Sequence, residues 1–369
     1  MIAGLWGATL IGCIYVTSAP DTTEAPMLST STASMTSNDN ALLHVDVEIA
    51  DGETAFQVTA VGLGDNDYLT LNTITDPNGD VVLDANDWLN GHNLLTDAFH
   101  LTGPVGVAQW PIRGRDGPLE PGTYQVTYST WDLFREVGNR DAEVTTLTKR
   151  DPDLSTGVVH VRILWTEGLQ DNPELVSAMA GAVERWREVW GNNGLILDET
   201  YVETNIDPAL PFSYEGSAGI RTQAENGSGH DLQLVVGDYI DGQRGLFGLA
   251  AGIPGSIVPT DRTFVLVSWL THSGTDGQFD DDEIRLMGET LAHECGHFMG
   301  LAHPVEFSYA DWDALADTEE CNSMSECEDL LGNNLMFPYP ICTFSGCDPQ
   351  GQLTDDQSTV GAQYLGTLD

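Results

Sequence analysis

Three histidines, a glutamate and a glycine stand at fixed spacing in the segment His293-Glu294-Cys295-Gly296-His297-Phe298-Met299-Gly300-Leu301-Ala302-His303. On a helix, residues four apart stack on one face, roughly 40° from each other. His293 and His297 can therefore hold one ion side by side. A catalytic zinc site takes three protein ligands and keeps one position open, so two imidazoles are not enough. Gly300 can take the left-handed conformation that ends a helix sharply, which turns the chain back to offer His303 as the third ligand. Glu294 then lies beside the open position, where a carboxylate can take a proton from water and pass it to a leaving amine. Cys295 falls about 200° around the helix from His293 and is expected as a buried free thiol, not a ligand. The constellation predicts metal-assisted hydrolysis of a peptide bond at one zinc ion.

Such a site needs a helix and something to hold it. Over residues 282–299, Ile284, Met287, Leu291, Cys295 and Phe298 make a continuous apolar stripe. Gly288 on that stripe would let a neighbouring element pack close. Upstream, Val159, Val161, Ile163 and Trp165 alternate as in a strand. Asn172 then caps a helix that begins with Pro173 and carries Leu175, Met179, Ala182, Trp186 and Trp190 inward, with Gly191 as its stop. Further strands are expected at 195–204, 231–236 and 264–270. Residues 157–369 thus read as an α/β domain, a mixed twisted sheet plus the active-site helix. Charged and turn residues at 149–156 mark a boundary. Before it, residues 41–150 read as an all-β sandwich: Leu43, Val45, Val47 and Ile49 alternate with polar residues, and runs at 55–61, 68–74 and 122–128 are separated by breakers such as those at 76–80.

At this point the sequence resembles the metzincin clan of zinc peptidases, whose HExxHxxGxxH signature is complete in residues 293–303. The resemblance covers roughly residues 157–369. It implies zinc on His293, His297 and His303, Glu294 as the catalytic carboxylate, and a methionine turn near the metal, for which Met336 in Asn333-Asn334-Leu335-Met336-Phe337-Pro338 is the match. It also implies a sheet whose edge strand binds an extended protein or peptide substrate; residues 245–257 are the candidate by position, with a plain glycine-rich loop as the alternative. Many metzincins place a tyrosine two residues after that methionine to stabilise the transition state. Here Tyr339 is three residues on. Pro304 after the third histidine is similar to serralysins, whereas the cysteines around the methionine are closer to pappalysin-like enzymes, and the subfamily stays open.

Cys321, Cys327, Cys342 and Cys347 cluster near the C-terminus. They read as two disulfides of an exported chain, with three connectivities open, against a structural zinc site that lacks a CxxC pair. Residues 1–13 form a short apolar run ending in Leu10-Ile11-Gly12-Cys13, which resembles a bacterial lipobox with Cys13 as lipidation site; residues 14–40 read as a Ser/Thr/Pro-rich linker. Against this, no Lys or Arg precedes the apolar run. Export to the cell exterior or surface is expected, without a transmembrane span. Of 369 residues, 57 are acidic and 13 basic, a formal charge of −44; this argues against nucleic-acid partners. It also suits calcium, which acidic clusters at 65–67, 84–87 and 276–283 could hold, although each reads first as a solvated loop. The rival reading is a cell-surface binding or adhesion protein with a structural or inactive metal site. A fourth protein ligand would mark it.

Overall fold

The computed structural model describes residues 27–84, 105–132, 134, 136, 138–152, 154–210, 214–227, 231–274, 277–343 and 346–368. The signal-like segment with Cys13, residues 14–26 of the linker and residues 85–87 and 276 of the acidic clusters lie outside these. In chain order the first strands are β1 (Met27–Thr36), β2 (Leu42–Ile49), β3 (Ala55–Gly62), β4 (Asp67–Thr75), β5 (Val81–Asp84), β6 (Val105–Trp110), β7 (Gly122–Asp132) and β8 (Asp141–Arg150). They form two antiparallel four-stranded sheets, β1-β8-β3-β6 and β2-β7-β4-β5. Alternation decides which faces meet: Leu43, Val45, Val47 and Ile49 are buried while His44, Asp46 and Glu48 are exposed. They join Phe56, Val58, Leu71, Val126 and other apolar residues in one core.

Strand β1 corrects the expected linker. Residues 27–36 pair with β8 from Met27↔Arg150 to Thr36↔Asp141. Most of this strand's side chains are exposed. An edge strand held by its backbone needs no apolar alternation, and Ser/Thr-rich sequence hides it.

The second half runs β9 (Gly157–Trp165), α1 (Pro173–Gly191), β10 (Leu195–Glu203), α2 (Tyr214–Glu225), β11 (Leu232–Gly237), β12 (Gly248–Ala250), β13 (Val265–Ser268), α3 (Trp269–His272), α4 (Asp281–Phe298), α5 (Met324–Leu331), a hairpin β14 (Cys342–Thr343) and β15 (Gly346–Cys347), α6 (Asp355–Gln363) and β16 (Thr367–Leu368). The sheet order is β10-β9-β11-β13-β12, with β16 added beside β9. Neighbours from β10 to β13 are parallel, and β12 runs antiparallel to β13 at the edge. Within residues 245–257, only 248–250 form that strand.

Helix α1 starts where its sequence says: the Asn172 side chain accepts from the amides of Glu174 and Leu175. In α4, Asp280 and Glu283 form a capping box, so two of the carboxylates in the 276–283 cluster are occupied locally. Asp67 of the 65–67 cluster likewise takes the Gly64 amide at 2.9 Å and Arg140 at 3.4 Å. Helices α1 and α4 cross through glycines. A Cβ on Gly288 would meet the Ala182 carbonyl at 2.5 Å, and one on Gly181 would meet Ile284 at 2.8 Å. That close crossing fixes α4 against a core holding Trp186, Trp190, Met287, Leu291, Cys295 and Phe298. Two disulfides join Cys321 to Cys327 and Cys342 to Cys347. Among the described residues no helix is long and apolar enough to cross a membrane.

Candidate active site

The last two turns of α4 and the chain after it bring His293, His297 and His303 together. Gly300 makes the reversal at φ +110°, a conformation strained for any L side chain. Each imidazole is held from behind. His293 Nδ1 donates to the Leu335 carbonyl at 2.7 Å, and His297 Nδ1 to the Leu301 carbonyl at 2.6 Å. His303 Nδ1 faces the Glu306 carboxylate at 3.2 Å. These bonds fix the tautomer with the proton on Nδ1 and leave the Nε2 lone pairs free. One ring nitrogen from each of the three lies within 4.8 Å of the others, and Nε2 of His297 stands 3.1 Å from Nε2 of His303. Lone pairs this close repel unless a cation lies between them. Three imidazoles, backed by carbonyl and carboxylate, are a donor set suited to zinc. Burial, reinforced by the neighbouring imidazoles, lowers His293 to about 3 and holds His297 well below the usual histidine range. Both therefore stay in the ligand form. Among the described residues no other His, Cys, Asp or Glu joins the group.

Glu294 turns to the other wall. Its carboxylate accepts a hydrogen bond from the Ala250 amide of β12, and burial, opposed by that bond, raises its pKa to about 8. Gly248 makes room for it: a Cβ there would stand 2.4 Å from Glu294 Cγ. Cys295, on the opposite side of the helix, is a buried free thiol, as its angle around the helix requires.

Met336 is fully buried, and a Cβ on Gly296 would lie 2.8 Å from its sulfur. The turn around it is built by Asn334, whose side chain accepts from the Met336 amide at 2.8 Å and donates to Gln357 Oε1 at 2.8 Å. That geometry aims the Leu335 carbonyl at His293. Tyr339 is beside the cleft, but its hydroxyl is bonded to Tyr309 at 3.0 Å and to Glu328 at 3.3 Å. Burial and these two partners push its pKa up. In this arrangement the hydroxyl is engaged by those two residues.

The cleft measures about 930 Å³ and runs between β12 with the residues before it and the segment 337–340, with Leu286 and Thr290 of α4 along one side. Sequence reasoning missed Gly248, Ala250 and Gln357, because each acts across a long sequence separation. Glu306, three residues after His303, carried a local signal that went unread. His272 is not a ligand: it is buried between the Ser268 carbonyl and Thr290. His44 and His160 bond to Thr127 and Asp198.

No protein-family profile matches the chain. Over 116 residues it is 33% identical to the metallopeptidase AprA of Pseudomonas marginalis, a stretch that spans 31% of this chain and 22% of that protein. Among solved structures, metalloproteinase-II from Bacteroides fragilis is similar at 12% identity and TM-score 0.29, over 46% of this chain and 48% of that one. Myroilysin is similar at 13% identity and TM-score 0.25, over 56% and 92%. At these scores neither structure bears on the fold. The sequence relationship is to a metallopeptidase, of which the chain spans about a fifth.

Proposed function

We propose that this chain is a zinc-dependent endopeptidase of the metzincin kind, exported and acting on protein or peptide substrates. The observation that carries the reading is the convergence of three Nε2 atoms, each with its Nδ1 bonded outward, beside a carboxylate anchored on an edge strand. His293, His297 and His303 would hold the zinc, which supplies Lewis-acid chemistry, polarising a carbonyl and acidifying water. The chain's own residues do the rest. Glu294, held by Ala250 at the cleft wall, takes the proton of the attacking water and returns it to the leaving amine. Strand β12 offers a sheet edge on which an extended peptide can lie. Met336 and Asn334 keep the Leu335 carbonyl on His293. Tyr339 could serve the transition state only by leaving Tyr309 and Glu328.

Export rests on the two disulfides, which fit an oxidising compartment, and on the signal-like segment; a lipid anchor at Cys13 belongs to the same proposal. Calcium at the acidic clusters stays part of the same proposal, although Asp67, Asp280 and Glu283 already have partners within the protein. The rival reading, a binding protein with a closed structural metal, calls for a fourth protein ligand, and none joins the triad among the described residues.

The test is zinc content by elemental analysis together with casein cleavage, for the wild type and Glu294→Ala. One zinc per chain, and cleavage abolished by a chelator and by the substitution, is expected. Stoichiometric zinc with cleavage unaffected by Glu294→Ala would overturn the mechanism. A folded chain without zinc would overturn the reading entirely.

A further inference from the structure

We propose that the N-terminal sandwich is a permanent buttress of the metal-site helix, not a segment shed on activation, and that Gln57 is a positioning residue acting through Gly255 and Phe298. The role given to α4 rests on the functional reading above; the union of the two halves does not.

The contact is polar and buried. Gln57 is 0% exposed; its Nε2 donates to the Gly255 carbonyl at 3.2 Å, and its Oε1 accepts from the Ile257 amide at 3.2 Å. Two residues along β3, the Thr59 hydroxyl meets Ser256 at 2.8 Å. Sandwich strand β3 therefore grips three consecutive residues, 255–257, in the loop that follows edge strand β12. The same loop is fixed to α4. The Gly255 amide donates to the Phe298 carbonyl at 2.8 Å, one residue after His297. No side chain would fit at 255, since a Cβ there would stand 2.1 Å from the Phe298 ring. Tyr364 closes the arrangement by donating its hydroxyl to the same Gly255 carbonyl at 3.2 Å.

Two more contacts flank this one. Lys149, the chain's single lysine, is 0% exposed at the end of β8. Its ammonium donates to the carbonyls of Ala362 (2.8 Å), Tyr364 (3.3 Å) and Thr367, and pairs with Asp151 at 3.3 Å. It thereby ties the sandwich to the C-terminal turn. On the other side Arg115 donates to the Ala314 carbonyl at 3.1 Å, and Ala314 and Ala302 belong to the sandwich's own apolar cluster. Ala302 directly precedes His303. The sandwich thus reaches the residue after the second metal ligand and the residue before the third.

Pulling these surfaces apart would strand a buried amide and a buried ammonium, which is costly because each loses its partners without a replacement in place. A segment built to be shed would instead lie across the cleft and part cheaply. None of the described sandwich residues lines the cleft.

The test keeps the full chain. A site-specific protease sequence is inserted in the connection between β8 and β9, cut after folding, and the product run on gel filtration in native buffer. The two fragments should travel together and keep their zinc. If they separate and the second fragment loses its zinc, the permanence of the union is overturned and only the support given to the metal-site helix survives. Separation with a second fragment that stays folded and keeps its zinc would overturn the proposal. An uncut control without zinc or cleavage would count against the functional reading alone, because co-migration is read independently. In parallel, Gln57→Leu is compared with Val45→Ala, which weakens the sandwich core away from residues 255–257. Gln57→Leu should release zinc to a chelator severalfold faster and lower kcat more than it changes KM, whereas Val45→Ala should lower only Tm. If Gln57→Leu also lowers only Tm, Gln57 is not a positioning residue.

Discussion

Gly248 and Glu294 touch so closely that a Cβ on the glycine would stand 2.4 Å from the glutamate's Cγ. The edge strand and the carboxylate proposed as catalytic are therefore placed by one contact, with the Ala250 amide bonding the same carboxylate. Gly248→Ala should push Glu294 out of line while leaving the three histidines untouched. A displacement of this kind costs about 10²-fold in turnover. Steady-state kinetics with zinc content measured on the same sample decides it. An unchanged kcat would mean that Glu294 can move without consequence, which contradicts its proposed role.

Beneath the metal site, Asn334 and Gln357 exchange amide hydrogen bonds at 2.8 and 3.3 Å in a buried setting. Gln357→Leu takes away the acceptor of the Asn334 side-chain NH2, and the expected loss is about 1–3 kcal/mol. Because Asn334 shapes the turn that aims the Leu335 carbonyl at His293, zinc should also leave faster. Urea unfolding and chelator competition measure the two effects. A fall in stability with unaltered zinc release would separate the turn from the metal.

The two halves of the site differ in how far the sequence reveals them. His293, His297 and Cys295 follow from helix geometry, since spacing within one helix fixes direction; His303 lies beyond the helix end and needs the Gly300 turn as well. Gly288 was legible because a glycine on an apolar stripe has few other uses. Strand β1 was not legible: its side chains are mostly exposed and carry no alternation. Lys149 misleads for the opposite reason, because composition places lysine at the surface and only the fold supplies three carbonyls to bury it against. Gln57, Gly248 and Gln357 act through partners 23 to 200 residues away, and a single sequence holds no record of those pairings.

Where α1 and α4 cross, two effects of opposite sign compete at Gly288. Replacing a mid-helix glycine by alanine returns about 1 kcal/mol of helix propensity. The new Cβ, however, would meet the Ala182 carbonyl at 2.5 Å, and that atom is backbone, which cannot swing aside. Overpacking of this kind costs about 1–3 kcal/mol. Gly288→Ala should therefore destabilise the protein on balance, by denaturant unfolding, and a stabilised variant would show that the helices can slide apart.

His272 supplies a pH dependence separate from the metal ligands. Its Nδ1–H donates to the Ser268 carbonyl at 2.6 Å, and its Nε2 accepts from the Thr290 hydroxyl at 3.0 Å, bridging α3 to α4. Burial lowers its pKa to about 4, with the Ser268 bond opposing. The unfolded chain takes up that proton near pH 6.5, whereas the folded one resists it until about pH 4. Between these values the unfolded state binds more protons, so the stabilisation present above pH 6.5 is lost as pH falls towards 4. Between pH 6.5 and 5 the loss should be about 2 kcal/mol. His272→Phe removes the titrating group, and the Thr290 hydroxyl can still donate to the Leu286 carbonyl at 3.0 Å. The variant should be less stable than the wild type at pH 7 but lose less on going to pH 5. Urea unfolding at both values tests this; every other ionisable group is common to the two proteins and cancels from the comparison. Equal losses in the two proteins would mean that His272 is protonated in the folded state at pH 5, and the bridge to Thr290 would then have to be drawn with the imidazolium donating both bonds.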